Sequence, residues 1–256
     1  MGAQALGSSS LKPGTAAATA EPVAAEPVAG GERGEVLERV GLGALILLAP
    51  AAILYLSFNA GGYFPSAPAF VAVVLAQALL LRTMLAERPF EGFDRTLAIP
   101  LAGLALYTGW ELASALWSHA TARTLDSFDR ALLYLLAFTL YGSLRRTRAR
   151  MDWIVRAVMA GLTAVCLAGL LSRVLPHLWP TSHNFFFDRL NYPLTYWNAE
   201  GMLAAIALIL GFHLGAERAE HWSVRVLACA ALPAIAATLL LTFSRGALGA
   251  AAIGLV

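Results

Sequence analysis

Two stretches of this chain hold the side chains best suited to chemistry. Residues 176–198 read PHLWPTSHNFFFDRLNYPLTYWN and run on into Ala199-Glu200-Gly201. Trp179, Tyr192, Tyr196 and Trp197 suit an interfacial aromatic belt. A belt does not account for Asp188, Arg189, Asn191, Asn198 and Glu200, a polar string leading straight into an apolar segment. Polar groups at a membrane interface that face other helices are candidates for holding a hydrophilic ligand. The second stretch is Thr242-Phe243-Ser244-Arg245-Gly246-Ala247, in which Arg245 lies between two apolar runs with no acidic residue close in sequence. Such an arginine reaches the interface, meets a carboxylate from another segment, or waits for an anion. Glu111 is the carboxylate available for pairing. A guanidinium fork matches phosphate geometry, and Gly246 allows close approach.

Other chemistries find little footing. The chain contains no phosphate-cradling glycine loop, HExxH, CxxC pair or GxSxG elbow, so metal or triad catalysis is not indicated. His119, His177, His183, His213 and His221 never fall at ligand spacing on a helix. Cys166 and Cys229 lie in apolar runs and read as small hydrophobic residues. Gly201, Gly211 and Gly215 suit close helix packing.

The elements that must position these residues are membrane helices. Of 256 residues 59% are hydrophobic and only 13% charged, far from the balance of a soluble domain. A bilayer core needs about 20 mostly apolar residues per helix. Seven runs approach that length, at residues 40–58, 67–81, 97–117, 131–144, 154–175, 199–215 and 224–243, the fourth being the shortest. An eighth begins at Ala247 and is still running at Val256, which predicts that the natural protein continues. Residues 1–37, rich in Ala, Gly, Ser, Pro and Glu and without a cleavable apolar core, read as a disordered tail, and residues 38–256 as an all-α polytopic transmembrane bundle of seven to eight spans.

With these spans, 13 of the 18 Lys and Arg residues fall on the N-terminal side, including Arg145, Arg146, Arg148 and Arg150. Five (Arg123, Arg130, Arg173, Arg189 and Arg245) fall opposite. Cytoplasmic segments retain positive charge, so the N-terminus is expected inside and both candidate stretches outside. The arginine cluster reads as a topogenic or anionic-lipid contact. A net charge of +2, spread along the chain, speaks against nucleic acid as a partner.

The segment Arg189-Leu190-Asn191-Tyr192-Pro193-Leu194-Thr195-Tyr196-Trp197-Asn198-Ala199, followed by an apolar helix and Thr242-Phe243-Ser244-Arg245-Gly246-Ala247, resembles the O-antigen ligase and polymerase family of bacterial membrane proteins. The resemblance covers the chain from about residue 40 and rests on these two motifs. It implies a multi-pass protein of the bacterial plasma membrane that moves a glycan from an undecaprenyl-pyrophosphate carrier to a glycan or other acceptor on the outer face, with no metal or other cofactor. It implies carrier binding by Arg189 and Arg245, with Asn191, Tyr192, Asn198 and Ser244 beside them. The large outer loop and catalytic histidine of that family would lie beyond Val256, and none of the five histidines here stands in that histidine's place. A chain ending at Val256 is therefore expected to bind carrier poorly and not to turn over. Two other readings fit the same residues: a multi-pass transporter or flippase, and a non-catalytic scaffold whose arginines only set topology. Transport is weakened by the scarcity of ionisable groups in the spans and by the absence of a repeat between the halves.

Overall fold

The computed structural model describes residues 29–177 and 189–256. Most of the expected tail, and Trp179, His183 and Asp188 of the aromatic stretch, lie outside the described residues. Every regular element among those described is helical. The helices are α1 (Ala29–Phe58), α2 (Ser66–Leu85), α3 (Arg95–Ser114), α4 (Thr121–Gly142), α5 (Arg148–Val174), α6 (Trp197–Ala216), α7 (Trp222–Leu241) and α8 (Arg245–Gly254), with a single 3-10 turn, Ala60–Gly62, after α1. Helix α1 begins at Ala29, inside what the sequence suggests is tail.

Five of these helices are long and apolar enough to cross a membrane: Arg39–Phe58 within α1, and α2, α5, α6 and α7. Backbone polar groups cannot stay unpaired in lipid, and helices satisfy them internally, which is why such sequences fold this way. The apolar runs expected for the third and fourth spans fall in α3 and α4, which do not reach the same standard. Arg95, Glu111, Thr108 and Tyr107 dilute α3, and Arg123, Asp126, Asp129 and Arg130 crowd the first half of α4. This is a membrane protein by its apolar helices, with five clear candidate spans among the described residues.

The end where α1 finishes is called distal here, and the opposite end proximal. Helix α3 packs on α4, α4 on α2, α2 on α1, and α1 on α5, which leads to α6, α7 and α8. One apolar core joins α1, α2 and α4 around Leu140, Val71 and Leu75, and a second joins α5 to α8 around Cys166, Ile235 and Ala204. Pro50 of α1 fits against Gly161 of α5, where a Cβ would come within 2.9 Å of Pro50 Cβ. Outward-facing Ile99, Leu106, Leu47 and Val73 are exposed, as expected of a lipid-facing surface.

Contacts at both ends set the register of α4 against α2. Distally, Arg130 Nη2 of α4 donates to the Tyr63 carbonyl at 2.8 Å. Proximally, Arg82 of α2 donates to Ser143 Oγ at 2.9 Å and to the Ser143 carbonyl at 3.0 Å. The segment of α4 between these ties lies alongside α2 and runs parallel to it, while residues 121–129 extend beyond the distal tie. The proximal end also carries the ion pairs Arg145–Glu91 (3.7 Å), Arg146–Asp94 (3.5 Å), Arg148–Glu217 (3.6 Å) and Arg156–Glu220 (2.6 Å).

Candidate functional site

At the distal end, three pieces of chain meet: the segment 189–196, the first turn of α6, and the α7–α8 junction. The junction is tight because α7 stops at Leu241 and Ser244 already caps the next helix, its hydroxyl accepting from the Ala247 N–H at 3.4 Å. Phe243 between them has φ of 50°, left-handed backbone that a side chain adopts only under constraint. Thr242, fully buried, supplies the constraint: its hydroxyl donates to the Leu239 carbonyl at 2.7 Å and accepts from the Ser244 N–H at 3.3 Å. Gly201 of α6 lets this junction approach, since a Cβ there would lie 2.8 Å from Thr242 Oγ1 and 3.0 Å from Ser244 Cβ. Gly211 and Gly215 likewise face neighbouring side chains, as close packing requires.

The segment 189–196 is fastened to this junction and to α1. The Leu190 N–H donates to the Leu241 carbonyl at 2.9 Å, and Leu190 and Leu194 are buried. Tyr192 sets its ring edge-on to Phe58, with centroids 6.0 Å apart. A Cβ on Gly61, after α1, would meet the Leu194 carbonyl at 3.3 Å, and the φ of Gly61 is 66°, so glycine serves both the turn and the contact.

The six residues expected to bind a ligand all lie in this distal region. Ser244 Oγ donates to Asn198 Oδ1 at 2.9 Å, and Asn198 Nδ2 donates to the Tyr196 hydroxyl at 2.8 Å. The Arg189 guanidinium lies over the Trp197 ring, 5.3 Å from its centroid, so it stands one residue from Asn198. Arg245 is the first residue of α8, directly after Ser244, and is exposed, with no ion-pair or hydrogen-bond partner among the described residues. Asn191 donates within its own segment to the Thr195 carbonyl at 3.4 Å, and Tyr192 is engaged with Phe58, so both have contacts that shape the segment.

The suggested pairing of Glu111 with Arg245 does not occur. Glu111 sits on α3 beside Tyr107, and α4, α2, α1 and α5 intervene in the packing order before α6 and α8 are reached. Cys166 and Cys229 are both free thiols, the first buried among apolar side chains. Among the described residues no group of three His, Cys, Asp or Glu is placed to hold a metal ion. Thr242, and Gly169 of α5, where a Cβ would stand 2.7 Å from the Tyr192 carbonyl oxygen, join the site's framework without any signal in the sequence, because a threonine and a glycine inside apolar runs read as packing residues.

Two arginines, an amide and a capped helix start thus belong to segments that meet at one end of the bundle. The start of α8 presents N–H groups whose partial positive charge opposes the adjacent Arg245 and favours an anion. The arrangement can receive an oxyanion through charge-assisted hydrogen bonds. In comparisons with known proteins, no family model, curated protein or solved structure matches this chain.

Proposed function

We propose that this chain is the carrier-binding part of a bacterial plasma-membrane protein of the O-antigen ligase and polymerase type. In this reading the distal patch receives the pyrophosphate of a lipid-linked glycan, undecaprenyl pyrophosphate in bacteria, and Arg189 and Arg245 grip its phosphate oxygens. Asn198 and Ser244 hold the two arginine-bearing segments together, and Asn191 and Tyr192 shape the segment that carries Arg189. The observation that carries the reading is Arg245: an exposed cation at a helix start, without a partner among the described residues, directly after the Ser244 that is tied to Asn198. In the transfer, the bond between the sugar's anomeric carbon and the phosphate oxygen breaks as an acceptor hydroxyl attacks that carbon. The arginines stabilise the charge that collects on the departing pyrophosphate. The base that takes the acceptor's proton is assigned to no residue of this chain.

The reading includes seven crossings, with α3 and α4 crossing beside α2, an eighth beginning at α8, and the N-terminus in the cytoplasm. The parallel register of α2 and α4, tied at both ends, supports crossing by α4. The bias of arginine toward the proximal end supports the orientation.

The test is saturable binding of undecaprenyl pyrophosphate to the purified protein in lipid nanodiscs. Loss of a charge-assisted phosphate contact removes about 1.5–3 kcal/mol, so Arg245→Ala and Arg189→Ala should each weaken binding roughly ten- to hundredfold. Arg245→Lys should recover only part of it, since an ammonium cannot make the bidentate contact. No saturable binding by the unaltered protein, or unchanged binding in both alanine variants, would refute the proposal and leave the arginines as topology anchors.

A further inference from the structure

The arginine-rich turn between α4 and α5 has no part in the proposal above. Arg145, Arg146, Arg148 and Arg150 fall close together in sequence, which by itself leaves them as setters of topology or as contacts for anionic lipid. Setting topology needs only their charge. Holding a lipid headgroup needs donors that stay available in the folded protein, beside an apolar surface at the depth of the acyl chains.

The donors are available because three of the guanidinium groups meet carboxylates only loosely. Arg145 lies 3.7 Å from Glu91, Arg146 3.5 Å from Asp94 and Arg148 3.6 Å from Glu217, all beyond the roughly 2.7–2.9 Å of a charge-assisted hydrogen bond. Their side chains are 63%, 45% and 72% exposed, and water screens such pairs so well that they hold the arginines weakly. Arg156 shows the contrast: it donates to the buried Glu220 from two nitrogens, at 3.0 Å and 2.6 Å. Charge is also in surplus. Residues 82–95, 145–156 and 217–225, which hold the connections at this end, carry ten arginines against six carboxylates.

The apolar surface lies one turn away. Arg148 is the first residue of α5, a clear candidate span, and Met151 and Trp153 on the next turn are exposed. At 1.5 Å per residue Trp153 is about 7 Å further along the axis than Arg148, comparable to the depth of one headgroup layer. Helix α2, whose Arg82 is bonded to Ser143 just before the turn, ends on exposed Met84 and Leu85.

We propose that the α4–α5 turn is a docking surface for net-negative phospholipid, in which Arg145, Arg146 and Arg148 take headgroup phosphates and the acyl chains lie against Met151 and Trp153. The partner is a lipid with no ammonium to offset its phosphate, of the phosphatidylglycerol kind, because a surplus of positive charge is complemented by a net negative headgroup and not by a zwitterion. This is independent of glycan binding and of which way the chain is oriented.

The test is competition between phosphatidylglycerol and phosphatidylcholine of distinguishable mass and similar chain length for the whole chain in detergent, with retained lipids counted by native mass spectrometry. An arginine at an anionic surface contributes about a fivefold factor, so the unaltered protein should retain phosphatidylglycerol several-fold over phosphatidylcholine. The triple variant Arg145→Gln, Arg146→Gln, Arg148→Gln should lose most of that preference, and Arg123→Gln at the distal end should keep it. Glu91→Gln with Glu217→Gln, which frees Arg145 and Arg148 and removes no arginine, should raise it and does not depend on the triple variant folding. Equal retention of the two lipids by the unaltered protein overturns the proposal with no variant needed. It is also overturned by a preference that survives in the triple variant, by one that falls as far in Arg123→Gln, or by one that does not rise in the glutamine pair.

Discussion

The hydroxyl of Ser244 donates to Asn198 Oδ1 at 2.9 Å while accepting from the Ala247 N–H at 3.4 Å, so one side chain both starts α8 and ties it to α6. Replacing a helix cap with alanine costs about 0.5–2 kcal/mol, and the lost bond to a partly buried amide adds about 1 kcal/mol. Ser244→Ala should therefore lower the thermal midpoint in detergent by more than Asn198→Ala, which removes the tie and spares the cap. Equal midpoints for the two variants would show that the cap contributes nothing.

At the opposite end, Arg156 meets Glu220 at 2.6 Å, with the Glu220 side chain 4% exposed, and stacks 5.0 Å from the Trp153 ring centroid. Removing one member of a buried pair leaves an uncompensated charge and costs about 3–5 kcal/mol. Glu220→Ala should be strongly destabilising, and the double variant Arg156→Met with Glu220→Ala less so. A double variant weaker than either single one would contradict this.

Two glycines separate helix packing from helix propensity. At Gly161 a Cβ would stand 2.9 Å from Pro50 Cβ and 3.0 Å from Pro50 Cα, and Pro50 is backbone-stiff, so alanine must push α1 from α5 at about 1–3 kcal/mol. At Gly103 of α3 a Cβ would meet nothing within 4 Å, and alanine there should stabilise by up to about 1 kcal/mol. Midpoints shifting in the same direction for both would count against the α1–α5 contact.

Asp94 caps α3, accepting from the Thr96 hydroxyl at 2.6 Å and the Leu97 N–H at 2.9 Å. These bonds, with Arg146 nearby, hold its carboxyl below the ordinary value of 3.8. A depressed carboxyl stabilises the fold above its unfolded value and loses that contribution as pH falls through the folded one. The midpoint gap between the native protein and Asp94→Asn should thus be full near neutrality and close only below about pH 4. A gap that grows on acidification would reverse the sign.

Topology can be read from two cysteines introduced in a Cys229→Ser background. His119 lies in the α3–α4 turn and Ala219 in the α6–α7 turn. With seven crossings and the N-terminus inside, an impermeant maleimide should label His119→Cys in intact cells and Ala219→Cys only after permeabilisation. With only the five clear spans crossing, the α3–α4 turn would return to the proximal side and His119→Cys would be protected.

The sequence alone determined the material of this protein: a chain with 59% hydrophobic residues and 13% charged can bury its backbone in lipid only as helices, and the positions of those helices follow from the apolar runs. It also singled out Arg189, Asn198, Ser244 and Arg245, because polar groups are conspicuous against so apolar a background. What it could not determine is which helix lies beside which, since lipid-facing and helix-facing positions are equally apolar and leave no periodic signature. Only the tertiary structure separated Glu111 from Arg245 by most of the bundle and set Gly169 of α5 opposite Glu200 of α6. The meeting of Ser244 with Asn198 belongs there too, since a 2.9 Å bond between residues 46 positions apart depends on how α6 and α8 pack and on nothing local to either.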